Sequence, residues 1–260
     1  MVITSPQNPR IKYVRRLLNS KRFRSQEKAF VIEGTRWLEE ARQYPARIQF
    51  VLYSNNWLNA EAHLEMVNDI GDICFEVDTA LMVDISQLES SEGVLAVLDM
   101  EAADLPEQPS LLLIADGVAD PGNLGTMIRT AAAAADGLLL APGCVDPYNP
   151  KVVRSSKGAH LRLPLAPLSW NEIADFTAGM EVWIAEAGDH VPYFEVDWTS
   201  PCAIIVGGEA AGPSRESSVR YGKKVAIPMK SQVESLNVAV AAAIILFEAA
   251  RQRIKGGEAT

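Results

Sequence analysis

Four short runs in the C-terminal half of this chain, LLLIA (111–115), LLLA (138–141), VWIA (182–185) and AIIV (203–206), are apolar with no polar residue at alternate positions. A strand with one face in water alternates, whereas an unbroken apolar run is buried on both faces. Such strands build a parallel sheet covered by helices, and helical patterns do lie between them. The last and longest is LNVAVAAAIILFEAARQRI (236–254). The expected fold class is α/β, a parallel sheet with helices on both faces.

The N-terminal part reads differently. NPRIKYVRRLLNSKRFR has helical apolar spacing at Ile11, Val14, Leu17 and Leu18, with basic residues between. AFVIEG then predicts a strand, TRWLEEARQY a helix opened by a Thr35 cap, IQFVLYS a strand and WLNAEAHLEMVND a helix. ICFEV and GVLAVLDM complete a small α/β domain over residues 1–100. The segment EAADLPEQPS, with acids, two prolines and no apolar period, is the expected linker at 101–110. A second domain over 111–260 follows.

Charge is as uneven as hydropathy. The chain of 260 residues carries a net charge of −9, yet residues 1–50 hold 11 Lys and Arg against 4 Asp and Glu, and residues 51–110 hold 13 acids and no Lys or Arg. Because salt screens charges beyond roughly 8–10 Å, a local basic face attracts phosphates even on an acidic protein. No apolar run reaches the ~18–20 residues of a membrane span, and the start lacks a secretory signal. Three scattered cysteines and three histidines, with no C-x-x-C, offer neither a disulfide pattern nor a metal site. The reading is a cytoplasmic protein with no membrane and no metal.

In parallel α/β sheets ligands bind beyond the carboxyl ends of strands. The first loop there, DGVADPGNLGTMIRTA, matches neither G-x-G-x-x-G nor a P-loop. That makes a dinucleotide-dependent oxidoreductase a poor candidate. Asn123 can cap the following helix, and Arg129 stands out on an alanine-rich one. The second loop, VGGEAAGPSRES, sets glycines around Glu209; taken alone it reads as a turn with a solvated acid. The third, VAIPMKSQVESLN, places Ser235 and Asn237 where a helix starts, and one cap explains only one of them. Pro228 leaves Ile227 and Met229 with free backbone groups and apolar side chains, which suits a flat heteroaromatic ring. No histidine lies in the three loops, so a Ser235 hydrolase lacks its base.

With these residues in view, the sequence resembles the SpoU, or TrmH-type, family of RNA ribose 2′-O-methyltransferases in the SPOUT class. DGVADPGNLGTMIRTA, IVGGEAAGPS and IPMKSQVESLNVAVAAAIILFE are similar to its three motifs, in order, and NPKVVRSSKGAHLRLPL has the family's intervening pattern. Residues 1–100 resemble, more loosely, the L30e-like substrate-binding domain often fused ahead of it. The resemblance implies a deep trefoil knot, bound S-adenosylmethionine and a homodimer. It also implies that Gly207, Gly208, Ile227, Met229 and Leu236 hold the cofactor, chiefly by backbone, and that Asn123, Arg129, Glu209, Ser235 and Asn237 form the catalytic set. Ala211 stands where a larger residue is common. Arg10, Lys12, Arg15, Arg16, Lys21, Arg22 and Arg24 become the candidates for RNA phosphates. Ribosomal RNA is the expected substrate; transfer RNA, or a non-catalytic ribosome-assembly factor of the same fold, are the alternatives.

Overall fold

The structure, a computed structural model, describes residues 2–100, 104–209, 212–230 and 235–256. The start of the expected linker and Ala211 lie outside these residues. Contacts divide the chain into two units, one of residues 1–101 with 148–161, the other of 102–147 with 162–260. Residues 148–161 thus pack with the N-terminal unit, although the sequence grouped them with the C-terminal part.

The first unit runs α1 (Pro9–Asn19), α2 (Lys21–Glu27), β1 (Ala29–Glu33), α3 (Thr35–Ala41), β2 (Ile48–Ser54), α4 (Asn55–Leu58), α5 (Glu61–Ile70), β3 (Cys74–Val77), α6 (Thr79–Ile85) and β4 (Val94–Asp99). Its sheet has the order β1-β4-β2-β3, antiparallel except between β2 and β3. Alternation along the strands separates two cores. Val31, Leu52, Leu95 and Val97 meet Ile11, Val14 and Leu17 of α1 and Met82 of α6. Phe30, Ile32, Val51, Ala96 and Leu98 meet Trp37 and Leu38 of α3 and also Val153 and Leu161. The single helix expected over 8–24 is two: Ser20 turns out of the helix, and its hydroxyl accepts from Phe23 N at 3.2 Å to open α2. Thr35 is not the cap of α3. Gly34, at φ +105°, holds that position, while the Thr35 hydroxyl accepts from Trp57 Nε1 at 2.9 Å.

The second unit begins with β5 (Leu111–Asp116), α7 (Pro121–Ala134) and β6 (Gly137–Leu140). The chain then leaves it for α8 (Pro150–Ser156) of the first unit. It continues with β7 (Leu165–Pro167), α9 (Trp170–Phe176), β8 (Glu181–Ala185), β9 (Val191–Pro192), β10 (Cys202–Gly207), α10 (Arg215–Arg220), β11 (Lys223–Ala226) and α11 (Val238–Gly256). The seven strands are all parallel, in the order β7-β6-β5-β10-β8-β11-β9. Leu112, Ile114, Ala203 and Ile205 face Trp170 and Ile173 of α9. The alternate residues Leu111, Leu113, Ile204 and Val206 are equally buried, and α7 and α11 pack on each other and on β5, β6 and β10. Both faces are covered, as continuous apolar runs require. Small residues, Gly125 and Ala131 on α7 with Ala239, Ala242 and Ala249 on α11, are buried and permit close helix packing. Arg253 fastens the far end of α11: its guanidinium donates to the carbonyls of Trp198, Ser110 and Ser200 and to the Ser110 hydroxyl, at 2.7–3.0 Å.

Candidate active site

A parallel sheet brings all its carboxyl ends to one edge, so the loops after β5, β8, β10 and β11 meet there. Those after β8, β10 and β11, with the start of α11, enclose a cavity of about 590 Å³. Gly207, Gly208 and Glu209 line it from the end of β10, Ile227 and Met229 from the end of β11, and Ser235, Leu236 and Asn237 from the approach to α11. Eight of the ten residues anticipated in the catalytic and cofactor sets therefore face one space. That size lies within the usual range for small-molecule sites, roughly 300–1,000 Å³.

The backbone explains why. The β11 ladder ends at Ala226, and beyond it neither Ile227 nor Met229 makes a main-chain hydrogen bond among the described residues. Their main-chain groups lie beside apolar side chains at the cavity wall. At the end of β10 the chain folds back, with Gly212 N donating to Gly208 O at 2.9 Å. A Cβ at Gly207 would lie 2.1 Å from Pro213 N, and one at Gly208 would lie 2.4 Å from Gly117 O. Both positions exclude a side chain through intramolecular crowding, whatever else they bind.

Asp116, the acid that ends the apolar run of β5, was given no role by the sequence, and the structure supplies one. Its carboxylate is buried and accepts from Ser214 N at 2.7 Å and from the Ser217 hydroxyl at 2.8 Å. Its carbonyl accepts from Gly208 N at 2.8 Å. One residue thus holds both arms of the Glu209 loop. A charged residue closing an otherwise apolar strand was the signal available for finding it.

Asn123 is not the helix cap. Asp120 is, accepting from Asn123 N at 2.8 Å. The Asn123 side chain is thereby released for a different task. Asn237 caps α11, its Oδ1 accepting from Ala239 N and Val240 N at 3.0 and 3.2 Å. That orientation leaves its amide NH2 outward, donating to Asn123 Oδ1 at 2.8 Å. Asn123 in turn donates through Nδ2 to Glu209 Oε1 at 2.5 Å. The amide directions follow from the network: once the helix terminus takes the Asn237 oxygen, each subsequent link must point toward the carboxylate. A chain of donors so runs from the positive end of α11 to Glu209.

Arg129 lies apart from the cavity lining. Six residues after Asn123, it is about 9 Å further along α7 and about a third of a turn round. It is exposed and makes no hydrogen bond or ion pair among the described residues. Its guanidinium therefore remains available to something outside the described residues. Ser235 is likewise exposed. Cys144 offers no nucleophile: its Sγ donates to Ala115 O at 3.3 Å, and burial pushes the thiol up. No metal-binding cluster of His, Cys, Asp or Glu occurs among the described residues, and no helix among them is long and apolar enough to cross a membrane.

In the first unit the seven basic candidates divide. Arg24 is buried, and its guanidinium donates to Leu17 O at 2.6 Å, so it closes the end of α1 and presents nothing to a phosphate. Arg15 pairs with Asp84. Arg10 lies over the ring of Phe75 at 3.6 Å and Arg16 over Phe23 at 3.8 Å, and both residues are exposed. Lys12, Lys21 and Arg22 are exposed.

Residues 110–247 match the family model described as SpoU rRNA Methylase family, and residues 8–96 match an MRM3-like substrate binding domain. The 23S rRNA (guanosine(2553)-2′-O)-methyltransferase of Bacillus subtilis is 32% identical over 94% of this chain and 97% of its own length. The 23S rRNA (uridine(2479)-2′-O)-methyltransferase of Streptomyces viridochromogenes is 32% identical over 99% and 94%. The solved structure of the SpoU methyltransferase AviRb from Streptomyces viridochromogenes, in complex with AdoMet, superposes with a TM-score of 0.84 at 28% identity, covering 95% of this chain and 99% of that one.

Proposed function

Because this chain belongs to the SpoU rRNA methylase family, we propose that the cavity at the sheet edge holds its S-adenosylmethionine and that the amide chain beside it serves transfer to a ribose 2′-oxygen of ribosomal RNA. The observation that carries this reading is the pathway Asn237–Asn123–Glu209, which delivers an oriented carboxylate to a cavity with an apolar, backbone-rich end. Bound there, S-adenosylmethionine supplies a methyl group on a sulfonium, which needs no metal to leave.

The protein's residues supply the rest. Ile227, Met229 and Leu236 present apolar surface and free backbone groups to an adenine-like ring. Glu209 accepts the proton of the 2′-hydroxyl, and its orientation is held by Asn123. The exposed Arg129 guanidinium grips the phosphate of the target nucleotide and sets the hydroxyl in line. Ser235, at the cavity mouth, orients the ribose. Arg10, Lys12, Arg16, Lys21 and Arg22, with Arg15 in its ion pair, track RNA phosphates along α1 and α2, whereas Arg24 does not.

Three further features belong to this reading. A homodimer is supported by the stripe Val240, Phe247 and Ile254, 47, 53 and 59% exposed at seven-residue spacing along α11. A trefoil knot is supported by the return of β10 to the middle of the sheet, between β5 and β8, before α11 begins beside the cavity. A cytoplasmic location matches ribosomal RNA as substrate.

The test is Arg129→Ala. Methyl transfer to ribosomal RNA fragments falls about a thousandfold, while the affinity for S-adenosylhomocysteine, read by calorimetry, stays within about twofold. A variant that loses cofactor affinity and keeps turnover at saturation removes Arg129 from its assigned place.

A further inference from the structure

The cavity contains a second carboxylate, Glu186, which follows β8. Neither the catalytic set nor the cofactor set included it. Its backbone is fixed, since Glu186 N donates to Val225 O at 3.0 Å, and its side chain is half-buried. Lys224 on β11 reaches Glu186 Oε2 at 2.6 Å. An ionised carboxylate has about four acceptor sites, and one ammonium occupies only one of them.

Sheet order indicates what the others serve. The lining strands succeed one another as β10, β8, β11, so Glu209, Glu186 and Ile227 mark three consecutive stations along the edge. Neighbouring strands lie about 4.8 Å apart, which separates the outer stations by about 10 Å, the length of a nucleoside with its 5′ substituent. The β11 station is apolar with open backbone; the β10 station carries the acid linked to Asn123. Between a base and a reacting carbon the chemical group of a nucleoside is its sugar. A carboxylate accepts two hydrogen bonds from adjacent hydroxyls, the chemistry by which acidic residues hold ribose in dinucleotide sites.

We propose that Glu186, charge-balanced by Lys224, is the acceptor for the ribose hydroxyls of the cofactor and so selects adenosyl over deoxyadenosyl ligands. This assignment rests on the cavity being the cofactor site. It makes Glu186 a binding residue for the cofactor, with Glu209 kept for the substrate side.

Binding to the full-length protein, measured by calorimetry, tests it with four probes: S-adenosylhomocysteine, its 2′-deoxy and 3′-deoxy counterparts, and 5′-methylthioadenosine, which keeps the ribose and lacks the amino acid. The native protein prefers S-adenosylhomocysteine over both deoxy forms by about tenfold. Glu186→Gln weakens S-adenosylhomocysteine and 5′-methylthioadenosine equally, by about tenfold, and abolishes the preference against the deoxy forms. Its melting temperature, followed with the same protein, stays near that of the native chain. A loss confined to S-adenosylhomocysteine would assign Glu186 to the amino-acid end and overturn the proposal, as would unchanged discrimination. Met229→Asp separates the two levels of inference. If it leaves S-adenosylhomocysteine binding intact, the cavity is not the cofactor site; if it destroys binding while Glu186→Gln changes nothing, only the ribose assignment fails.

Discussion

The two sheets of this protein treat their strand ends in opposite ways. In the N-terminal sheet β4 runs antiparallel to both of its neighbours, so strand ends are shared between two edges and no edge collects them. In the C-terminal sheet all neighbours are parallel, and the polar residues after β5, β8, β10 and β11 converge. The contrast extends to individual side chains. Arg24 of the first unit closes a helix seven residues away, and Arg15 pairs with Asp84 on its own sheet's flanking helix. Asp116 of the second unit ties residues about a hundred positions apart, and Asn123 reaches both Glu209 and Asn237. Polar groups in the first unit tie its own elements together, also across long separations, as Gln49 with Asp99 and Thr35 N with Glu92 do; those at the parallel edge assemble a site.

That contrast can be broken most forcefully at Asp116. Asp116→Ala leaves Ser214 N without its acceptor, takes from the buried Ser217 hydroxyl one of its two acceptors, and releases the Ser214 arm of the Glu209 loop. Methyl transfer falls at least about a hundredfold and urea unfolding shows a loss of about 3 kcal/mol. The matching change in the first unit is Arg24→Leu, which strands the Leu17 carbonyl. It lowers stability by about 2 kcal/mol in the same unfolding measurement, yet kcat at saturating RNA stays within about twofold. A large fall in kcat there would erase the distinction between the units. The smallest effect belongs to exposed cations. Lys21→Ala with Arg22→Ala weakens RNA binding several-fold at 0.1 M salt, lowers the slope of log affinity against log salt by about 1.5, and leaves melting unchanged. Salt dependence identical to the native protein's would remove α2 from the RNA face.

The strands were legible because burial on two faces writes an unbroken apolar run, and β5, β6, β8 and β10 fall where those runs lie. Short elements left weaker marks: β9, α6 and α10, of two to seven residues, are too brief to show a period. KVVRSSKG reveals its helix α8, but nothing in its letters says that Val153 packs beside Phe30 and Trp37. In the stretch ADPGN the sequence points to Asn123 as the helix cap, yet Asp120 takes that place. Asp120 and Asn123 have the same local chemistry, and the choice falls to Glu209 and Asn237, which draw the Asn123 amide away. Arg22 and Arg24 look alike in sequence and differ entirely in exposure.

Alone, the sequence determined the α/β class, the polar residues of three loops and the family they resemble, because periodicity and motif spacing are properties of neighbours along the chain. Tertiary structure decided which of those residues share a partner: the Asp116 anchor, the directed amide chain to Glu209, the placement of Glu186 between two stations of the cavity, and the withdrawal of Arg24 from the surface. A hydrogen bond between positions a hundred residues apart leaves no trace in local pattern; it exists only once the strands bring both ends to the same edge.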